Sequence, residues 1–404
     1  MAGPYHVGGF PTVVPDIDGL HGDSHYGASP PPPPDSLTAP ARRASPKKAA
    51  MSGTPSRRLA PLAWGALVFL AITTPARAQD STGMELPVRR VPNLGSGAEF
   101  YFSPDGTHLI GNAKPPGGSE WHVVTIATDG SDFHLVNEVG ADACSFYFPD
   151  GRHIIWTSTR DHLDLPRGDY SDPRDYPQGA ELYVSRPDGS ERTQLTHNTQ
   201  YDAEVTTSPD GQWILFSRQV DGKLDLWHMR PDGSGAVQIT HTDDWQEGGA
   251  LYLPDSHTIL FRAWHRADEG RISPLPMAVF TIRDDGTGLH QLTPDGITSW
   301  APYPAPDGRH FIYVRVLPPM NYELVLADLQ SAEERRLTWF AGFDGFPSIS
   351  PDGHWLAFTS SRTPPPGERG LHVYLMDIAS LGIGPSGAGE QKPRAQAPAR
   401  PPSR

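Results

Sequence analysis

The sequence has almost no cysteine and no long hydrophobic run. Cys144 is the single cysteine among 404 residues, so no disulfide can form within the chain and the fold must be stabilised by a packed core. The longest predominantly apolar run, Leu59 to Ile72, contains 14 residues and is short for a membrane-spanning helix. We therefore expect no stable membrane span once this segment is removed.

Basic residues are also scarce. Residues 79–404 hold 26 Lys and Arg against 43 Asp and Glu. Binding to nucleic acids or to anionic membranes depends mainly on contacts between Lys or Arg and phosphates. The charge balance therefore predicts that neither is a partner.

Common catalytic motifs are missing as well. The sequence contains no Gly-x-Ser-x-Gly, no His-Glu-x-x-His and no phosphate-binding loop. These absences count against a serine hydrolase, a zinc protease of that type and a P-loop nucleotidase. The sequence leaves catalysis open, but the missing motifs favour a protein that is not an enzyme.

The two ends of the chain differ in composition from its middle. Residues 1–50 are rich in Pro, Gly and Ala, and residues 381–404 in Pro, Ala and Arg, so both are predicted to be disordered. Residues 51–78 have the pattern of a signal peptide, with a basic start, an apolar stretch and Ala76-Arg77-Ala78 before Gln79. We expect translation to start at Met51, which would leave residues 1–50 outside the native protein. We also expect the mature chain to be exported, either to the periplasm or out of the cell.

A four-residue turn recurs six times between residues 79 and 380. Its prolines are spaced by 45, 60, 45, 52 and 45 residues, and they are Pro104, Pro149, Pro209, Pro254, Pro306 and Pro351. The full motif is Ser208-Pro209-Asp210-Gly211, in which Pro and Asp fit the corners of a type I turn and Gly accepts a positive φ. A period near 45 residues is typical of a four-stranded propeller blade. The sequence predicts an all-β protein, a six-bladed β-propeller with four antiparallel strands per blade.

The last blade lacks a fourth-strand signal. After Leu371 to Asp377 the chain runs into Gly382 and Gly384 instead. The segment 87–92 precedes the first turn by the spacing that fourth strands show elsewhere. We therefore expect this N-terminal strand to close the ring in blade six, which removes exposed sheet edges.

These repeats resemble the exported TolB-like six-bladed propellers, which carry Pro-Asp-containing WD40-like (PD40) repeats. The resemblance covers about residues 86–379 and is most specific at Gly97 to Ser103, Ala143 to Pro149, Tyr201 to Glu204 and Gly342 to Pro347. It implies the propeller fold, a cell-envelope or secreted setting, and protein binding as the usual role. TolB proteins have an additional N-terminal α/β domain, and we expect this chain to be a propeller without one.

Acidic residues recur near the start of the innermost strand in five of the six blades. Strand alternation predicts that the residues five and seven positions before the turn proline point towards one mouth of the central channel. These candidates for binding are Glu99, Asp142, Cys144, Asp202, Glu204, Glu247 and Asp344. Such a set could hold a divalent cation such as Ca²⁺ through carboxylate oxygens, or bind a cationic peptide group; the alternative is that the acids are solvated or bond to backbone amides.

The face of the ring that carries the long insertions is the predicted binding face. Insertions at 161–178 and 265–276 fall on it, and surface loops on a rigid scaffold often carry binding residues. Candidates on this face are His197, His241, Trp245, Trp300 and Trp339. Three hypotheses follow: a protein- or peptide-binding module of the cell envelope, a metal-assisted hydrolase or lyase with its site at the acidic mouth, and a regulatory propeller for a separate peptidase.

Overall fold

A computed structural model describes residues 85–115, 121–331, 333–364 and 370–385. The predicted disordered segment 1–50 and the predicted signal peptide 51–78 lie outside these residues, as does most of the predicted tail. Residues 381–385 of that tail are described, and Ile383 is buried in the main core. The packed part of the chain therefore extends at least to Ile383, three residues beyond the predicted boundary.

The described chain forms six sheets of four antiparallel strands, which confirms the predicted propeller. The first strand, β1, is Val88–Arg90, and it is followed by the strands of blades one to three. Blade one contains β2 (Ser96–Phe102), β3 (His108–Lys114), β4 (His122–Ala127) and β5 (His134–Leu135); blade two contains β6 (Asp142–Tyr147), β7 (Ile154–Ser158), β8 (Glu181–Ser185) and β9 (Thr193–Gln194); blade three contains β10 (Tyr201–Thr207), β11 (Ile214–Val220), β12 (Lys223–Met229) and β13 (Val237–Gln238).

Blades four to six complete the ring. Blade four contains β14 (Trp245–Tyr252), β15 (Thr258–His265), β16 (Ala278–Arg283) and β17 (His290–Gln291); blade five contains β18 (Ser299–Pro304), β19 (His310–Leu317), β20 (Asn321–Asp328) and β21 (Glu334–Arg336); blade six contains β22 (Asp344–Ile349), β23 (Trp355–Ser360) and β24 (His372–Asp377). Single-turn 3-10 helices span Arg266–Asp268 and Ala379–Leu381. The described part of the chain offers no helix with the length and apolar character of a transmembrane span.

The N-terminal strand closes the ring as predicted. β1 pairs antiparallel with β24, with Val88 opposite Met376 and Arg90 opposite Tyr374. An ion-pair network reinforces the closure, because Arg362 bonds to Glu85 at 2.6 Å and also to the buried Asp344. The N-terminal segment is thus held to blade six by backbone pairing and by charge.

The repeated turns have the geometry that their sequence indicates. In the first, Gly106 N–H donates to Ser103 O at 2.8 Å, and Gly106 has a φ of +72°. The Asp105 carboxylate accepts from Thr107 N–H, which satisfies a backbone group at the corner. In the fourth turn Ser256 takes the glycine position with a φ of +60°, so its geometry is the same.

The fourth strands of blades one to five contain only two or three residues. Those of blades two and three end at a glutamine, Gln194 or Gln238. Two residues later a threonine hydroxyl replaces a backbone carbonyl as acceptor, since Leu182 N–H donates to Thr196 Oγ1 and Leu226 N–H to Thr240 Oγ1, both at 2.9 Å. The side-chain bond ends the ladder while keeping the buried amide satisfied.

Candidate functional site

Every innermost strand carries a β-bulge, and this bulge decides which residues face the channel. The strand pairing shifts register at one place in each of β2, β6, β10, β14, β18 and β22. The residues at the shift have positive φ values between +38° and +58°, and they are Glu99, Cys144, Glu204, Gly249, Ala301 and Phe346. An L-residue with positive φ is strained, and such conformations concentrate at functional sites.

A cavity of about 280 Å³ lies where these bulges converge. All six bulge residues line it, so the cavity occupies the centre of the ring at one mouth of the channel. The insertions of blades two and four also contribute, through residues 170–176 and 269–275. The cavity therefore lies on the insertion-bearing face.

Aromatic side chains form much of the cavity wall. Tyr176 of the blade-two insertion stacks on Tyr201 of β10, with ring centroids 4.1 Å apart and an angle of 6° between the planes. Trp300 meets Phe346 edge to face at 4.6 Å. Their rings give the cavity flat apolar surfaces with the quadrupole that attracts cations.

A buried ion pair joins blades three and four at the cavity. Arg262 Nη2 lies 2.5 Å from Glu204 Oε1, and both side chains are nearly buried. The second oxygen of Glu204 accepts from Gly249 N–H at 2.6 Å and from the Ser217 hydroxyl at 3.0 Å. Glu204 is therefore paired with a cation and accepts three bonds through its two oxygens.

Glu99 has a different environment. Its carboxylate accepts from the Tyr101 hydroxyl at 3.1 Å, and the Cys144 thiol lies 4.0 Å from its other oxygen. Burial, followed by repulsion from Glu204, raises the pKa of Glu99 to about 7. The cavity thus contains a carboxyl group that is poised to ionise near neutral pH.

The two insertions meet at the cavity. Glu269 of the blade-four insertion accepts from Trp264 Nε1 at 2.8 Å and from Gln246 Nε2 at 3.0 Å, which fixes that loop to its own blade. Arg174 of the blade-two insertion packs so closely against Gly270 that a β-carbon there would collide with the guanidinium. The loops therefore form a joined rim.

The structure brings together three of the predicted channel-mouth residues, Glu99, Cys144 and Glu204. The other four do not line the cavity, because the bulge interrupts the alternation on which the prediction relied. They are buried and bonded to the surrounding protein: Asp142 to Asn137, Asp202 to Arg218, Glu247 to Thr242, and Asp344 to Arg362. These bonds are structural.

The candidates on the binding face are dispersed. Trp300 lines the cavity, whereas His197 and His241 are exposed and lie outside it. Trp245 packs on His265 at 3.9 Å, and Arg336 lies 5.5 Å from the ring centre of Trp339. Of the five, the structure places Trp300 alone at the cavity.

The described residues do not show a ready metal centre. Among them, no group of three or more His, Cys, Asp or Glu side chains is arranged to hold a metal ion. The acids predicted to act together are separated, and Glu204 already pairs with Arg262. The donor set at the cavity therefore does not fit the predicted Ca²⁺ site.

Arg262 and the tyrosines Tyr101 and Tyr303 are cavity residues that the sequence interpretation missed. Alignment of the blades on their turns contains a signal for the arginine. The residue six positions after the turn glycine or Ser256 is Asn112, Thr157, Ser217, Arg262, Val314 or Thr359. Arg262 is the one charged residue in this set, which distinguishes blade four from the other blades. The bulge position of the same blade is the single glycine of its set, Gly249.

Comparisons with known proteins agree with the architecture. No model of a known protein family matches the sequence. A curated relative, an uncharacterized protein of Agrobacterium fabrum, is 31% identical over 86 residues, which span 21% of this chain and 29% of the relative.

Two solved structures are similar over most of the ring. A TolB propeller protein of Agrobacterium tumefaciens has a TM-score of 0.52 and 17% identity, with 73% of this chain and 99% of that chain covered. TolB of Acinetobacter baumannii has a TM-score of 0.52 and 16% identity, with 68% of this chain and 64% of that chain covered. The chain is a six-bladed β-propeller. Within that class its fold is TolB-like.

Proposed function

We propose that this chain is an exported, TolB-like propeller that binds a protein or peptide partner in the cell envelope, with the aromatic-lined cavity as the binding site. The observation that carries the proposal is the convergence of six bulges, five of them at a strained L-residue, and two insertions on one cavity of about 280 Å³. A cavity of this size accepts one or two side chains of a partner rather than a folded domain. The partner is therefore expected to insert a short segment.

The walls of the cavity suit such a segment. Hot spots of protein interfaces are rich in Tyr, Trp and Arg in well-packed pockets, and the cavity offers Tyr303, Trp300 and Arg262. The fixed backbone of the ring would lower the entropic cost of binding, because the pocket does not have to be assembled.

Selection from a displayed peptide library tests this function. Peptides selected on the full chain should lose binding to Tyr303→Leu, which removes one aromatic wall. They should keep binding to Trp213→Leu, a matched change at an aromatic residue outside the cavity, where Trp213 stacks on His228. Selected peptides that bind both variants equally would contradict the cavity as the binding site.

Export is a separate part of the proposal. It rests on the signal-peptide pattern of residues 51–78. Expression of residues 51–404 in an export-competent bacterium should place the protein outside the cytoplasm with an N-terminus near Gln79. A cytoplasmic product that retains residues 51–78 would contradict export.

The other two hypotheses gain no supporting observation. The metal-assisted enzyme needs a donor set that the described residues do not assemble. The regulatory propeller needs a contact surface for a peptidase, and nothing in the described residues favours that partner over another protein.

A further inference from the structure

We propose that the cavity binds the cationic end of a basic side chain, lysine or arginine, presented by the bound segment, with the cation at Glu99 and its apolar stem along the aromatic walls. This inference rests on the proposed function and names the chemical class of the group that enters the cavity. It follows from the way in which charge is distributed around the cavity.

The acidic side chains that line the cavity differ in their partners. Glu204 pairs with Arg262 at 2.5 Å, and Asp172 pairs with Arg174 at 2.6 Å. Glu269 accepts from two neutral donors on its own blade. Those three acids are held in bonds that fix the ring and its loops.

Glu99, like Glu269, has no ion-pair partner among the described residues. Unlike Glu269, it lies at the bulge of an innermost strand, at the centre of the ring. The side-chain bonds to its carboxylate come from Tyr101 and Cys144, which are neutral and weakly acidic. Since Arg262 is fixed on Glu204, no basic side chain bonds to Glu99 among the described residues. The charge of Arg262 acts on Glu99 and lowers its pKa, but burial and repulsion from Glu204 outweigh this effect. A ligand cation bonded to Glu99 would stabilise its ionised form.

The walls beside Glu99 favour the same ligand. Tyr101 donates to Glu99 and also faces Tyr303, with ring centroids 6.0 Å apart and planes 21° from parallel. Trp300 and Phe346 continue the aromatic lining. Cations are attracted to the faces of such rings, and the methylene stem of lysine or arginine packs on apolar surface.

Binding of this kind is linked to protons. The groups that act on Glu99 are Tyr101, Cys144, Glu204 and Arg262. Other titratable groups that line the same cavity are Tyr170, Tyr176 and Tyr303. Burial and the charge of Glu204 raise the pKa of Glu99 to about 7, so at neutral pH much of the group is protonated. An arriving cation stabilises the ionised form, which lowers this pKa and releases a proton. Affinity should therefore rise with pH through the region around 7.

Isothermal titration calorimetry on the full chain tests the proposal. The probes are acetyl-Gly-Lys-Gly-amide, acetyl-Gly-Arg-Gly-amide, the matched norleucine peptide without a charge, and n-butylamine as a free cation. We expect at least one basic peptide to bind about tenfold or more tightly than the norleucine peptide. Comparison of the two basic peptides identifies the preferred side chain, and n-butylamine shows whether the cation alone is enough.

The pH dependence gives a second readout that needs no mutation. Affinity for the basic peptide should fall about tenfold from pH 8 to pH 6, because only the ionised fraction of Glu99 binds. Titrations in buffers with different ionisation enthalpies should show proton release near pH 7. Both effects should disappear in Glu99→Gln, which keeps the shape of the side chain.

Asp225→Asn is the matched control. Asp225 is buried in blade three, burial raises its pKa, and it does not line the cavity. This variant should retain the preference for the basic peptide and its proton release.

Three results would overturn the inference. They are equal affinity for the norleucine and basic peptides, retention of the preference in Glu99→Gln, and no binding of either basic peptide at millimolar concentration. If displayed peptides still depend on Tyr303, the proposed binding function stands while the cationic ligand is rejected. If they do not, the cavity itself is rejected as the binding site.

Discussion

Arg262 of blade four and Glu204 of blade three form an ion pair, with Arg262 Nη2 2.5 Å from Glu204 Oε1 at the centre of the ring. The pair depends on a glycine. A β-carbon on Gly249 would collide with the Arg262 guanidinium, and Gly249 N–H also donates to Glu204 at 2.6 Å. These three residues therefore form one structural unit at the wall of the cavity.

Loss of the arginine should be costly. Arg262→Met leaves Glu204 nearly buried without its cation, so the free energy of unfolding should fall by about 3–5 kcal/mol. Urea unfolding measures the change. The double variant Arg262→Met/Glu204→Leu should recover most of the loss, because it removes both charges; a double variant no more stable than Arg262→Met would show that the pair is not the cause.

Gly249→Ala should destabilise the ring for two reasons. The φ of +57° strains any L-residue by about 1–2 kcal/mol, and the new methyl group displaces Arg262. Thermal unfolding should show a larger loss than for Gly308→Ala, where φ is +70° and the nearest contact for a β-carbon is Pro254 at 3.9 Å. In an Arg262→Met background the cost of Gly249→Ala should shrink towards that of strain alone.

Stability should fall as pH rises from about 4.5 to 7. Burial raises the pKa of Glu247 from 4.5 to about 7, so the folded state binds more protons than the unfolded state in this window. Stability then decreases with pH. Glu247→Gln should remove a part of this decrease worth at most about 3 kcal/mol, while keeping the acceptor for Thr242. Unfolding curves at several pH values measure it, and an unchanged slope would contradict the role of Glu247.

Removal of the closing strand should destabilise the whole ring. Deletion of residues 79–93 takes away β1 and the Glu85 partner of Arg362, which leaves β24 as an exposed edge. The melting temperature should drop markedly. Arg89→Ala is the control, since this exposed residue lies on the same strand and its loss should cost no more than about 1 kcal/mol. An unchanged melting temperature after the deletion would refute the closure.

Ser256→Gly should be close to neutral. Glycine relieves the strain at a φ of +60°, but the Ser256 hydroxyl accepts from Asp210 N–H of the neighbouring blade at 3.1 Å. The relief of strain and the loss of the hydrogen bond each change the free energy of unfolding by about 1 kcal/mol, in opposite directions. Thermal unfolding checks the result; a gain near 1 kcal/mol would show that the inter-blade bond contributes little.

The blades could be predicted because their turns are local. Pro, Asp and Gly each favour one corner of the turn, so Ser208 to Gly211 and its relatives mark the hairpins without knowledge of the rest of the chain. Closure by β1 was also predictable, because the last blade lacks a fourth-strand pattern and Val88 precedes the first turn at the right distance. The spacing of the turn motifs along the chain was therefore enough to predict the fold.

The cavity was less predictable because its geometry depends on the bulges. Glutamate at position 99 and alanine at position 301 do not favour positive φ, so their sequence does not signal the bulge that tertiary packing imposes. Alternation then assigned Asp202 and Asp344 to the channel, whereas both pair with arginines inside the protein. Gly249 was a local signal of a bulge, because glycine accepts positive φ. The absence of a side chain there also leaves room for the Arg262 guanidinium.

The pairing of β1 with β24 also sets an order of events during synthesis. The strand that completes blade six is made first, and its partner, which ends at Asp377, is made last. Until that residue has emerged, the growing array of blades has two open edges that can pair with other chains. The pairing of β1 with β24 also requires contact between the first and last strands of the propeller, which forms slowly compared with a local hairpin. A chain that is interrupted before blade six can form individual blades, but it cannot become a ring.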